Sequence, residues 1–207
     1  MKTIVMGAAA AIAIASAAAG QDAPPAGAYT LDKNHASITW RVSHLGTSTY
    51  VASFDDFDAA LTFDPESPET SSLSVSIDVT SLDLDYSNDE DPDLFYNELL
   101  GIPEDTPGRV FFRAPSFPTI TFESTGVAVT GENTGTVTGD LTLVGQTHPV
   151  TLDVTFNGSR AGYGGGGTVV GFSATTTVKR SEWGMDTAVG AIGDDVEVWI
   201  EAEFMAS

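Results

Sequence analysis

The chain has 207 residues, of which 42% are hydrophobic and 18% charged, so it is neither disordered nor a helical membrane bundle and fits one sizeable domain. Eight Lys and Arg against 29 Asp and Glu give a formal net charge of −21, which repels nucleic acid and anionic lipid head groups. No nucleic-acid partner is expected. Cysteine is absent, so core burial and hydrogen bonds must hold the fold without disulfides.

The N-terminal segment has the pattern of a secretory signal. Lys2 precedes an apolar and small-residue run from Ile4 to Ala19, which ends in an Ala-x-Ala pattern. Residues 1–19 are therefore predicted to be a signal peptide, with an uncleaved anchor as the alternative, and residues 20–28 a flexible lead-in. The domain is predicted to span residues 29–205. No other stretch could cross a bilayer, so we expect an exported, periplasmic protein without stable membrane insertion.

Two apolar rows begin the domain. The first row predicts a strand that ends near His44, and the turn Leu45–Ser48 follows it. The second row shifts phase by one residue at Asp55–Asp56, which predicts a β-bulge of the kind that bends strands in barrels. These two rows comprise Ala36, Ile38, Trp40, Val42 and His44, then Tyr50, Ala52 and Phe54, and after the shift Phe57, Ala59, Leu61 and Phe63.

Six further rows repeat the alternation, and one segment, Asp93–Gly101, has the pattern of a short helix. An antiparallel sheet with one apolar face is expected, and closing it removes exposed edges. We predict an all-β, eight-stranded antiparallel lipocalin-like barrel with a short helical segment in one long connection; a solid-core sandwich is the alternative. The six rows are Leu73–Val79, Ile120–Phe122, Val137–Leu143, Val150–Phe156, Val170–Val178 and Val196–Phe204.

Residues that could support catalysis or metal binding lack the required pattern. His35 and His44 are nine residues apart, so a regular strand places them on opposite faces, and His148 is expected to be structural. The acidic loop 85–93 departs from a calcium loop and is expected to be solvated. No nucleophile elbow, zinc motif or phosphate loop occurs, so neither an enzyme nor a metal site is predicted.

Four stretches together resemble the YceI family of exported, lipocalin-like proteins: Leu31–Gly46, Phe117–Ser124, Val137–Gly158 and Lys179–Phe204. The resemblance implies an eight-stranded barrel whose elongated apolar cavity binds a polyisoprenoid or another long-chain amphiphile in the bacterial periplasm. The chain departs from the family pattern at 86–94, where YSNDEDPDL lacks the usual Arg and His, and in the longer connection 99–116.

We therefore predict a non-catalytic protein that sequesters or carries an isoprenoid quinone, prenyl lipid or similar amphiphile, with no cofactor other than such a lipid. His44 and Arg180 are candidates for a polar rim, with a structural role as the alternative for each: His44 as a hydrogen-bonded residue at a strand end, and Arg180 as a residue that holds its own turn through carboxylates or carbonyls. The alternatives are a stress-response or interaction module with a solid barrel and an acidic protein-binding surface, and an enzyme acting on a lipid; a homodimer stays open. The predicted cavity lining comprises Ile38, Trp40, Val42, Phe54, Phe63, Val75, Ile77, Phe122, Leu141, Leu143, Phe172 and Val198.

Overall fold

A computed structural model describes residues 23–84, 92–101 and 111–207, and within them the chain forms one ten-segment sheet and one α-helix. The predicted signal peptide, 1–19, and residues 85–91 of the acidic loop lie outside the described residues. The elements are β1 (Gly27–His44), β2 (Ser48–Phe54), β3 (Phe57–Phe63), β4 (Ser72–Asp78), β5 (Leu82–Leu84), α1 (Pro92–Leu100), β6 (Thr119–Val129), β7 (Thr134–Leu143), β8 (Gln146–Ala161), β9 (Thr168–Lys179) and β10 (Ile192–Ala206).

The ten strand segments amount to eight strands of a barrel. β2 and β3 both pair with β1 and are separated only at Asp55–Asp56, where the sequence predicted a bulge. β4 and β5 are likewise separated by a 3-10 turn at Val79–Ser81, and they pair with β3 and β2 respectively. Each pair of segments is therefore one bent strand.

The sheet closes on itself, because each strand pairs with its sequence neighbour and β10 pairs with β1, with Ile38 opposite Ile200. All pairings among the described named strands are antiparallel. The predicted eight-stranded antiparallel barrel is confirmed. Closure leaves no long unpaired edge, which explains how an apolar-lined sheet avoids edge-to-edge aggregation.

β1 contains a phase shift that its alternation did not predict. Its register against β10 changes between Leu31 and Ala36, so Tyr29 and Leu31 face inward before the shift and even-numbered residues face inward after it. The strand also begins at Gly27, two residues inside the predicted lead-in 20–28. The shift allows one long strand to contribute to the core along its whole length.

The predicted short helix is present as α1, and it packs at one end of the barrel, which we call the helix end. Leu100 is completely buried there, and the carbonyl of Leu99 accepts hydrogen bonds from the backbone N–H groups of Phe111 and Phe112. The turns after β1, β7 and β9 lie at this same end. None of the helices among the described residues has the length and apolar composition needed to span a bilayer.

Candidate functional site

The barrel encloses a cavity of about 600 Å³, within the range of small-molecule sites. Its wall is built by the inward rows of the eight strands, because alternate residues of each strand point to the same face. A hollow interior excludes the solid-core sandwich and also the solid barrel of the interaction-module alternative. The shape of the fold thus provides room for an apolar guest.

The structure places all twelve predicted lining residues on the wall of this cavity, and they come from seven of the eight barrel strands, β8 being the exception. That these side chains bind a lipid stays a prediction. They are Ile38, Trp40, Val42, Phe54, Phe63, Val75, Ile77, Phe122, Leu141, Leu143, Phe172 and Val198.

The end opposite the helix is narrowed by aromatic rings. Phe63, Phe156 and Phe172 contact one another with ring centroids 5.3–5.8 Å apart, and Phe172 also meets Phe204 at 6.3 Å. Offset and edge-on arrangements of this kind stabilise a core beyond simple burial. We call these rings the aromatic floor, and the cavity lining continues beside them into the β3–β4 and β6–β7 turns, at Ser71 and Asn133.

At the helix end the wall is completed by aromatic residues that the strand pattern could not reveal. Phe112 packs against Phe54 and Trp40 with centroids 5.7 and 6.4 Å apart, and Phe111 is buried beside it. Both residues lie in the long connection after α1. The sequence offered one signal for this contact, the two adjacent Phe residues, because large aromatic side chains are usually buried and are unusual in a connection that is fully exposed to solvent.

His44, a predicted rim residue, lies at the helix end and lines the cavity with its ring 4.7 Å from that of Tyr50. Leu45 and Val51, which also line the cavity, are 61% and 40% exposed. The cavity therefore reaches solvent at this rim. His35 instead bonds to Asp32 on the outer surface, so the two histidines are apart as expected, but the reason is the phase shift between Leu31 and Ala36 rather than alternation along a regular strand.

Arg180, the second predicted rim residue, is only 3% exposed, and its guanidinium holds a turn together. It donates to the carbonyls of Gly193 (2.8 Å), Thr187 (2.9 Å), Ile192 (3.1 Å) and Met185. Burial lowers the pKa of Arg180, while nearby Asp side chains oppose that shift. Because four of its five N–H groups have backbone acceptors, Arg180 braces the β9–β10 connection and is poorly placed to bind an anionic head group.

Two further contacts fix the same connection. The Asp194 carboxylate accepts bonds from the backbone N–H and hydroxyl of Ser181 at 3.0 and 2.9 Å, and the backbone bond is the main cause of its lowered pKa. The indole of Trp183, buried to 1% exposure, donates to the Leu141 carbonyl at 3.2 Å. His148 packs edge-on against Trp183, so it is structural.

Comparison with known proteins now agrees with this architecture, because residues 29–204 match the YceI-like domain. The chain belongs to the YceI-like family. It is 37% identical over 196 residues to a UPF0312 protein of Pseudomonas putida, covering 94% of each chain. A UPF0312 protein of Yersinia pestis is 34% identical over 177 residues, covering 84% of each chain.

Solved structures show the same YceI-like barrel. BcnA of Burkholderia cenocepacia superposes with a TM-score of 0.69 at 25% identity, covering 86% of this chain and 99% of BcnA. The YCEI protein of Campylobacter jejuni gives 0.66 at 28% identity over 80% of this chain and 90% of its own. A polyisoprenoid binding domain from Saccharophagus degradans gives 0.56 at 12% identity, covering 86% and 98%, and shows the fold alone.

Among the described residues, one group of side chains of the types that bind metals lies on the outer surface of this YceI-like barrel, and the sequence did not predict it. Asp32, His35 and Glu203 bring their ligand atoms within 4.8 Å of one another at the phase shift of β1. His35 bonds to Asp32 at 2.9 Å and Glu203 pairs with Arg160 at 2.5 Å. The bond from His35 is also the main cause of the lowered pKa of Asp32. His35 and Asp32 thus satisfy each other and Arg160 satisfies Glu203, and we assign no metal here.

Proposed function

We propose that this protein is an exported, periplasmic, non-catalytic carrier that sequesters a polyisoprenoid or a similar long-chain amphiphile inside its barrel. The observation that carries the proposal is the hollow, apolar interior of about 600 Å³, which is walled by inward rows from all eight strands and reaches solvent at the helix end. A cavity of this kind selects by length and shape and needs no reactive group.

The energetics favour binding through the tail of the ligand. Each buried methylene contributes roughly 0.8 kcal/mol, so three isoprene units contribute on the order of 12 kcal/mol, which exceeds most of the range of about 4–15 kcal/mol estimated for the cost of association. The aromatic floor and the Phe112 cap add rigid contact area for alkenes. Membership of the YceI-like family and the structural likeness to a polyisoprenoid binding domain support the same ligand class.

The residues around the cavity support binding rather than turnover. Among the lining residues that the structure describes, the titratable side chains are His44, Tyr50 and Arg180, and no carboxylate is present. The ring of His44 contacts Tyr50, and Arg180 is engaged by backbone carbonyls. This set lacks the nucleophile and base pair, or the carboxylate pair, on which hydrolysis usually depends.

Native mass spectrometry tests the proposal. Protein purified from the periplasm of its own host should carry a lipid whose mass remains after exchange into volatile buffer, and whose release by solvent gives an isoprenoid or long-chain species. The mature N-terminus, read in the same spectrum, should fall near residue 20 if the export signal is cleaved. Repeated recovery of empty protein from the periplasm of a host whose membranes are rich in isoprenoids would contradict the proposal.

A further inference from the structure

The cavity has a second opening, which lies beside the aromatic floor at the end opposite the helix. The cavity lining includes Ser72, at the start of β4, and Asn133, in the turn between β6 and β7, and both residues are exposed to solvent. Residues that border the cavity and are also exposed show where it reaches the surface, as Leu45 and Val51 do at the helix end. The cavity is thus open at both ends of the barrel, and we call the second opening the window.

The pairing of the strands explains why the barrel is not sealed at the window. The pairing between β4 and β6 ends at Ser74, whereas β6 and β7 stay paired as far as Val129 and Gly135. Just past that end, the N–H of Leu73 donates at 2.8 Å to the hydroxyl of Ser124 instead of to a backbone carbonyl, and β6 bulges after Ser124. The β6–β7 hairpin therefore extends past β4 without pairing to it, and a gap remains.

The edges of the window combine apolar and uncharged polar side chains. One edge has Ser71 and Ser72, and the other has Val127, Val129 and Asn133 from the β6–β7 hairpin. Both valines are half-buried, which suits an alkyl chain, and the polar side chains can hydrogen-bond a neutral group at the surface. The residues that flank the undescribed connections 85–91 and 102–110 lie at the helix end instead.

The volume of the cavity gives the window a consequence for long guests. A cavity of about 150 Å³ holds benzene, with its six carbons, so the cavity of about 600 Å³ holds about 24 carbons, or between four and five isoprene units. A longer chain in a closed cavity would have to overpack the wall. With a window at the far end, the surplus of the chain can leave the barrel.

We propose that the window is an exit for the far end of a long-chain guest, so that the barrel accepts chains longer than its cavity and chains that are polar at both ends. The inference rests on the proposed carrier function and extends its ligand class to long chains with a second polar end. Such a guest keeps one polar group at the His44 rim and the other beside Ser72 and Asn133, both at the surface. A cavity closed at that end would instead bury the second polar group without a partner.

The length of the cavity decides which probes can reach the window. β7 lines the cavity from Leu143 to Thr134, which is roughly 30 Å along the strand and about 23 Å along the axis of a barrel with the usual strand tilt. An extended alkyl chain advances roughly 1.3 Å per C–C bond, so about 22 carbons span the cavity and about 10 do not.

Pairs of straight-chain probes test the exit: 1-alkanols and α,ω-alkanediols of about 10, 16 and 22 carbons. Their affinities for the protein without its predicted signal peptide are measured by displacement of diphenylhexatriene, a fluorescent hydrocarbon. Farnesene, a hydrocarbon of three isoprene units, is the control for the cavity itself. The deciding quantity is the ratio of the alkanol affinity to the diol affinity at equal length, because both probes place the same chain in the cavity. We expect a ratio of at least about five for the shortest pair, whose diol buries its second hydroxyl, and of under about two for the longest pair.

Narrowing the window should make the longest diol bind more weakly than its alkanol. Val129→Trp places an indole opposite Gly135, where no side chain obstructs it, and should raise the ratio of the longest pair to at least about five. Ser72→Trp narrows the window from the other edge and should do the same. Glu132→Trp, exposed on the same hairpin but outside the cavity lining, is the control and should leave that ratio under about two. Farnesene should bind wild type and all three variants equally.

Two results would overturn the exit. One is a ratio in wild type that stays at about five or more at every chain length. The other is a ratio of the longest pair that both Val129→Trp and Ser72→Trp leave unchanged, because the diol would then fold back to the helix end. Farnesene binding upholds the carrier in either case. Failure of farnesene and of all three alkanols to bind would overturn both the exit and the carrier.

Discussion

Replacing Ala174 with Phe tests whether the interior is hollow, because Ala174 faces the cavity from the middle of β9 between Val154 and Ile200. A benzene ring occupies a cavity of about 150 Å³, which is a quarter of the 600 Å³ present here. At roughly 24 cal/mol per Å³, filling that volume stabilises by at most about 3.6 kcal/mol, and ordering the new side chain lowers the gain. We expect the empty protein to gain about 1–2 kcal/mol in free energy of unfolding.

The same substitution should weaken ligand binding. The ring displaces about one isoprene unit of guest, worth roughly 4 kcal/mol, so the affinity for farnesene should fall by about two to three orders of magnitude. The thermal midpoint of the delipidated variant should rise by about 2–4 °C for each kcal/mol gained in free energy of unfolding. Thr175→Phe, on the outer face of the same strand, is the control and should change neither the thermal midpoint nor the affinity. If Ala174→Phe instead lowered the free energy of unfolding by about 1–3 kcal/mol and left ligand binding unchanged, the space beside Ala174 would already be filled by protein atoms, and the hollow interior would be refuted.

Three further predictions concern the walls and the helix end. Gly139→Ala should lower the free energy of unfolding, measured by chemical denaturation, by about 1–3 kcal/mol, because the new Cβ would lie 2.3 Å from the Phe122 ring and 2.6 Å from a backbone oxygen. Gly171→Ala is the control, since its nearest contact would be 3.7 Å away, and it should cost under about 1 kcal/mol. Equal losses for the two variants would contradict this prediction. Arg180→Lys should lower the free energy of unfolding by about 2–4 kcal/mol, because one ammonium group cannot satisfy four carbonyls. A thermal midpoint equal to that of wild type would disprove the proposal that Arg180 braces the connection. The pKa of Asp194 is lower in the folded state than in the unfolded state, so the stabilisation that its carboxylate gives is complete above about pH 4 and is lost as pH falls through the folded pKa. Wild type should therefore lose thermal stability on acidification more steeply than Asp194→Asn. Parallel pH profiles of the two thermal midpoints would refute this prediction.

Most of the barrel could be predicted from the sequence because alternation is a local property. Inward positions such as Val75, Phe122 and Val198 follow from the period of two, and the bulge at Asp55–Asp56 appears as a slip in that period. The phase shift between Leu31 and Ala36 escaped the same reasoning. There the polar residues that loop out separate two short rows, and the first row is too brief to show a period.

The residues that complete the site at the helix end could not be predicted, because their contacts join distant parts of the chain. Phe112 reaches the cavity through the turn after α1, and only the three-dimensional path places it against Trp40. For Arg180 the sequence left two roles open, a polar rim residue or a brace for its own turn, and the carbonyls that accept its hydrogen bonds come from its own connection to β10. The periodicity of hydrophobic residues in a sequence does not indicate which backbone carbonyls will accept hydrogen bonds from a given side chain.

The hollow interior is compatible with a stable fold because side chains pack at both ends of the cavity and along its wall. At one end Tyr29, Phe63 and Phe204 are almost fully buried and form an aromatic cluster that needs no ligand. At the other end the Arg180 hydrogen bonds and the buried Trp183 hold the β9–β10 connection, while Leu100 anchors the helix. Between these ends the strands are joined by backbone pairing, and wall side chains such as Ile38, Phe122 and Leu152 pack against their neighbours while they border the cavity. A guest that fills the cavity stabilises the folded state further, by an amount that grows with the logarithm of its concentration relative to its Kd.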